Sequence, residues 1–187
     1  MATPYGHALV GLSLFNLMYP HKVIPRIKAG LLYGLVVLVT LSPDLDFLPG
    51  ILLGNTSRFH QGPSHSLGMA IGLSLVGGLI ISIIWRDLNF FKISRLIFLL
   101  VFSHLLLDFF TEDLKPPFGF PFFWPVTETC FLSPWPIIPH VSRDIADPKF
   151  WGHNMMVVLF ESLLFLPLFF LSWKCGNYPK EKGQFKK

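Results

Sequence analysis

Seven side chains able to ligate a divalent metal fall into four short clusters. They are His7; Asp44 and Asp46 within Pro43-Asp44-Leu45-Asp46; His60 and His65 within His60-Gln61-Gly62-Pro63-Ser64-His65-Ser66; and the pair His104 and Asp108. Imidazole nitrogens and carboxylate oxygens together make a donor set for an ion such as zinc. Every cluster lies beside a long apolar run, where an ionisable group is costly and is usually kept for a partner or a task. The expected centre holds one or two zinc ions on His7, Asp44, Asp46, His60, His65, His104 and Asp108. Asp44 and Asp46 are also the candidates for a general base in a hydrolytic reaction.

The spacing inside each cluster supports convergence. His104 and Asp108 are four apart and project from one side of a helix. A Gly62-Pro63 turn brings His60 and His65 toward one point, and Ser64 or Ser66 is the expected N-cap of the helix that follows. Pro43 favours a helix stop with extended backbone around it, and in extended backbone Asp44 and Asp46 face the same way. Each cluster taken alone has a plainer reading: a solvated helix end for the PDLD run, a buried hydrogen bond for the HxxxD pair. Weaker ligand candidates are His140 with Asp144, which repeat the spacing in a Pro-rich stretch, and His153 with Glu161, which share a helix face. His21 reads as a surface residue.

The elements that must position these groups are apolar helices. Hydrophobic residues make up 52% of the 187-residue chain and charged residues 14%, against roughly 25% in a soluble domain. Mean hydropathy is +0.55. Five apolar segments stand out, at about 5–19, 27–41, 66–85, 93–110 and 155–173. A bilayer-spanning helix takes about 17–25 residues, which the third and fifth meet and the first does not. The expected fold is an all-α polytopic membrane bundle of about five apolar helices. Residues 1–173 form its single domain, with a Pro- and aromatic-rich interfacial loop at 112–150 inserted and a disordered basic tail at 174–187. The loop carries eight prolines, from Pro116 to Pro148, and cannot be a continuous helix. It reads as an interfacial segment with Trp124 and Trp135 at headgroup level, or as a flap over the metal site.

Alternating spans place all four clusters on one membrane face. Eleven of the 15 basic residues fall on the other, among them Lys22, Arg26, Lys28, Arg86, Lys92, Arg95 and Lys174. The positive-inside rule puts the basic face in the cytoplasm and the site face outward, toward the periplasm. The net charge of +4 is spread over short groups and makes no nucleic-acid stripe. Cys130 and Cys175 show no CxxC spacing and suggest neither a disulfide framework nor a zinc ribbon. The first residues lack the basic region of a cleaved signal.

The ordered set Gly6-His7, Pro43-Asp44-x-Asp46, His60-x-Gly62-x-x-His65-Ser66, Ser103-His104-x-x-x-Asp108 and Phe123-Trp124-Pro125 resembles the YdjM-like family. That family is described as LexA-binding, inner-membrane-associated hydrolases, or membrane-bound metal-dependent hydrolases. The resemblance covers about residues 5–125. Its middle motif usually reads His-Arg-Gly-x-Thr-His-Ser; here Gln61 and Ser64 replace Arg and Thr, which keeps the ligand types and removes a cationic group. The distant similarity of the family to zinc phospholipases C and P1-type nucleases implies a helical zinc fold and phosphoester hydrolysis.

The resulting expectation is a membrane-bound metal-dependent hydrolase of the inner membrane, acting on phospholipid-type phosphoesters by a metal-activated water. The alternative is a non-catalytic metal-binding membrane protein: sensor, transporter or structural partner. The expected partner is membrane lipid. No specific nucleic acid is expected, because eight carboxylates share the site face with four basic residues.

Overall fold

The computed structural model describes residues 1–18, 29–53, 60–114 and 118–177. These residues form six α-helices: α1 (Pro4–Met18), α2 (Ala29–Thr40), α3 (Phe47–Leu52), α4 (Leu67–Ile84), α5 (Phe90–Phe109) and α6 (Phe150–Asn177). Two 3-10 turns, Ser42–Asp46 and Pro63–His65, precede α3 and α4. Among the described residues there is no strand, and the 112–150 segment contributes the isolated bridges Thr111–Ile138 and Phe120–Phe131.

The bundle is organised around α5. Its buried positions include Ile93, Ile97, Leu100, Val101, His104, Leu105 and Asp108, a stripe at helical spacing that runs unbroken from the apolar core into the ionisable pair. Asn89 caps its start, accepting a hydrogen bond from the Lys92 N–H. One face of α5 packs on α4, and α1 and α2 close the other side, while α1 also packs along α6. Helices in a bilayer gain little from hydrophobic transfer, since lipid tails are as apolar as leucine, so close packing must hold them. Gly78 provides one such contact: a Cβ there would collide with both the side chain and the Cα of Ser94.

Three helices are long and apolar enough to cross a membrane: Leu67–Ile84, Phe90–Phe109 and the stretch Phe150–Gly176. Gly30–Thr40 and Ser42–Leu52, bent by 61°, add a fourth if the pair is one broken span. Among the described residues, therefore, three or four spans are found and not five apolar helices of comparable kind. The first run ends after 15 residues, and the second is broken at Pro43.

Other boundaries also move. The Pro43-Asp44-Leu45-Asp46 run is a 3-10 turn, not extended backbone, because Pro43 occupies the first turn, where its missing N–H costs nothing. Helix α6 begins at Phe150 and carries His153 inside it, with Pro167 also within its length. It continues through Lys174 and Cys175, so the expected disordered tail is helical to Asn177, and residues 178–187 lie outside the described residues. So do His21 and the basic residues Lys22, Arg26 and Lys28.

Candidate metal centre

His7 comes from the first turn of α1. Thr3 caps that helix, its Oγ1 accepting from the Gly6 N–H at 3.0 Å, and Pro4 follows at the position that suits proline. The cap is fastened to α6: the Thr3 N–H donates to Glu161 Oε1 at 2.8 Å, and its hydroxyl donates to Glu161 Oε2. Gly6 leaves room for that carboxylate, since a Cβ would sit 2.6 Å from Glu161 Oε2. The next residue, His7, is thereby driven into the bundle with no solvent exposure. Its ring stacks on His104 at 3.8 Å between centroids.

Asp44 and Asp46 lie two apart on a 3-10 turn, with about three residues per turn, and therefore point in different directions. Asp46 faces the His60–His65 turn. Its Oδ1 lies 2.9 Å from His60 Nδ1, while Oδ2 accepts from Ser64 Oγ at 2.6 Å and lies 3.2 Å from His65 Nδ1. Both imidazoles are thus held through Nδ1, which leaves each Nε2 for another partner. His60 Nε2 lies 2.9 Å from Met1 Sδ, and its ring stacks on Phe47. Ser66, not Ser64, is the N-cap of α4, accepting from the Met69 N–H at 3.1 Å.

Burial pushes the His60 imidazole below its ordinary pKa, and the Asp46 hydrogen bond does not fully offset it. Burial also acts downward on His65, but there the bonds to Asp44 and Asp46 and the field of Asp108 prevail and hold it above its ordinary value.

Asp44 turns inward. Its Oδ1 lies 3.4 Å from His65 Nε2 and 3.5 Å from His104 Nε2. Asp108 Oδ2 lies 3.5 and 3.4 Å from the same two nitrogens, which are themselves 3.4 Å apart. The second oxygen of Asp108 is taken by the Ala2 N–H at 3.1 Å and by His7 Nε2 at 3.3 Å. Asp44 Oδ1, Asp108 Oδ2 and His7 Nδ1 are buried and make no hydrogen bond among the described residues, the two carboxylate oxygens meeting only the His65 and His104 nitrogens at 3.4–3.5 Å. Orphaned buried carboxylate oxygens are expensive unless something cationic meets them.

The donor spacing is that of ligands around a divalent cation. Zinc–nitrogen and zinc–oxygen bonds of about 2.0–2.2 Å give tetrahedron edges of about 3.3–3.6 Å. Octahedral magnesium, with bonds of about 2.0–2.1 Å, brings neighbouring ligands to about 2.8–3.0 Å. His65 Nε2, His104 Nε2 and Asp108 Oδ2 lie 3.4–3.5 Å from one another, and Asp44 Oδ1 lies 3.4 and 3.5 Å from the same two imidazole nitrogens. Three overlapping groups have donor atoms close enough to share an ion: His7, Asp44 and His104; Asp44, His60 and His65; and His65, His104 and Asp108.

The seven residues singled out from sequence therefore come together, with Asp46 placed as the carboxylate that orients His60 and His65. The weaker candidates do not join them. His140 pairs with Glu112 at 3.3 Å, not with Asp144, whose carboxylate accepts from the Ala146 N–H. His153 Nε2 donates to the His140 carbonyl at 2.8 Å, and Glu161 is spent on Thr3. Sequence reasoning missed the roles of Thr3 and Phe47, and the contact of the Arg143 guanidinium with the Phe47 ring at 5.1 Å. The Thr3-Pro4 pair is a legible cap signal; Phe47 and Arg143 carry none.

The Pro-rich segment lies against the site. The Leu67 and Gly68 N–H groups, at the start of α4, donate to the Phe122 and Trp124 carbonyls at 2.8 and 3.2 Å, and the buried Phe120 ring lies 6.0 Å from His65.

No curated protein and no solved structure matches the chain. The YdjM inner membrane protein family matches residues 1–176, a span that takes in all four ligand clusters and every described helix but for the last residue of α6. With that coverage, and with helices apolar enough to cross a bilayer, the chain belongs to the YdjM inner membrane protein family.

Proposed function

We propose that the protein is a membrane-bound, metal-dependent hydrolase that cleaves a phosphoester, with a lipid phosphodiester as its substrate class. The observation that carries this reading is the convergence of His65, His104, Asp44 and Asp108 donor atoms, two of them buried carboxylate oxygens that make no hydrogen bond, at the end of apolar helices. A bound zinc ion supplies Lewis acidity and lowers the pKa of a water ligand to about 7.

The chain's own residues divide the remaining work. Asp44 is the most exposed of the three carboxylates, at 14% against 9% for Asp46 and 0% for Asp108, and it can take a proton from an incoming water. Asp46 is committed to His60, His65 and Ser64, so it acts as a positioning residue. Phe120 and the Pro-rich segment limit water on the α4 side. The basic surface faces the cytoplasm and the centre faces outward, where a phospholipid headgroup is within reach.

A second reading has its own support. His7, His65, His104 and Asp108 are at most 2% exposed, and closed sites more often serve structure than turnover. Under it the protein is a metal-stabilised sensor or structural partner. A transport role is less well supported, because the ionisable groups gather at one end of α5 while its middle is apolar.

The deciding experiment compares zinc-loaded and chelated protein on a panel of phosphodiesters and short-chain phospholipids. Zinc-dependent turnover that is lost in Asp44→Asn with folding intact supports the hydrolase. Metal-replete protein that turns over no ester, amide or glycoside favours the second reading. For orientation, an impermeant thiol reagent on spheroplasts is expected to label Cys130 and spare Cys175, both free thiols. Labelling of Cys175 alone inverts the topology.

A further inference from the structure

Three carboxylates, those of Asp44, Asp46 and Asp108, belong to this centre. A cation comes from the irregular segment leading into α6. That segment is pinned at both ends: Ile138 donates to the Phe110 carbonyl at 3.0 Å, and Ser142 is held twice by Asn154, through its N–H at 2.9 Å and its carbonyl at 3.0 Å. The next residue is Arg143.

The Arg143 side chain is exposed but not loose. Its Cζ lies 5.1 Å from the centre of the Phe47 ring, within range of a cation–π contact. The same ring stacks on His60 at 3.8 Å, and His60 is bonded to Asp46. The Arg143 Nη2 group meets Met1 Sδ, which also touches His60 Nε2. The guanidinium thus sits at the rim of the cluster, on its Phe47–His60 side. Among the described residues it forms no ion pair, and a thioether sulfur is a weak acceptor. A guanidinium that is oriented by aromatic stacking, with its hydrogen-bond donors unspent, suits bidentate recognition of a phosphate.

We infer that Arg143 is the anion anchor of this centre, binding the phosphate group of the substrate beside Asp44, His65 and His104. The inference rests on the phosphoester reading and narrows it to a substrate whose phosphate carries negative charge at the reaction site. The bland alternative is an arginine that balances the acidic cluster; it predicts an effect on metal retention and none on anions.

The test uses the full chain, purified and zinc-loaded, titrated calorimetrically with inorganic phosphate and, in a second arm, with a short-chain phosphatidylglycerol. Zinc content is measured alongside. The expected result for Arg143→Gln is a loss of about tenfold or more in anion affinity, the equivalent of one charge-assisted hydrogen bond, with zinc unchanged and Arg143→Lys in between. A loss confined to the lipid arm makes the ligand a headgroup; a loss in both arms makes it phosphate itself. Equal binding of both probes by wild type and Arg143→Gln overturns the inference, as does no binding by wild type or a loss of zinc in the variant. Protein that holds no zinc at all overturns the proposed function instead, and the same titrations on that protein still read Arg143 directly.

Discussion

Two groups of histidines and acids stand near the same end of this bundle, and they behave differently. In the first, His65, His104 and Asp108 lie on a buried 3-10 turn and a central helix, and two buried carboxylate oxygens, of Asp44 and Asp108, make no hydrogen bond among the described residues and meet only imidazole nitrogens at 3.4–3.5 Å. In the second, Glu112 and His140 lie near the two ends of the segment between α5 and α6, and His153 lies at the start of α6. There the His140 and Glu112 side chains are 29% and 44% exposed, and His153 is satisfied by a backbone carbonyl. Residue types are the same in both. What differs is whether the fold has already met their hydrogen-bonding needs. An acid–imidazole group that is satisfied from within has nothing left to offer an ion, whereas one that is buried and unsatisfied needs one.

Breaking the first group gives the largest expected effect. The double variant His104→Ala/Asp108→Ala removes two of the three donors of the His65–His104–Asp108 group and is expected to abolish stoichiometric zinc in elemental analysis of purified protein. Full metal content in that variant would remove both residues from the centre. Single variants sharpen the picture. Asp44→Asn is expected to weaken zinc binding more than Asp46→Asn, which acts through His60 and His65 and costs about 10–100-fold, the usual effect of a carboxylate that orients ligands. Competitive chelator titrations give the order, and the reverse order would make Asp46 a ligand and Asp44 its support.

The Glu161 anchor affects stability more directly than chemistry. Glu161→Ala strands the buried Thr3 N–H and is expected to cost about 1–3 kcal/mol in thermal or denaturant unfolding. Unchanged stability would mean that the α1 cap is not fastened through Thr3. The smallest effect belongs to the second group. His140→Ala and His153→Ala are expected to leave zinc content untouched and to cost at most about 1 kcal/mol of stability, checked by the same two assays. A loss of metal in either would erase the distinction between the two groups.

The sequence made the site more legible than the helices. His104 and Asp108 declare themselves by spacing alone, because four residues on a helix fix a shared face whatever surrounds them. His60 and His65 follow from the Gly62-Pro63 turn. The conformation around Pro43 did not follow: proline restricts the residue before it but also suits the first turn of a short helix, and the second effect prevailed, splitting Asp44 from Asp46. The count of spans was unreadable for a related reason. Apolar runs at 5–19 and 27–41 look like shortened spans, but length alone does not separate a span from a helix broken at its end. Arg143 was beyond reach because its place depends on Ser142 and Asn154, contacts set by the tertiary fold within a segment that has no periodicity.

The proposed centre is a zinc ion held among His65, His104, Asp108 and Asp44, with a position left for water. X-ray absorption at the zinc edge of the purified protein tests it most directly. The account predicts a shell of nitrogen and oxygen donors at about 2.0–2.2 Å, with outer scattering from two imidazoles. A shell containing sulfur, a shell without imidazole scattering, or protein that retains no zinc would contradict it.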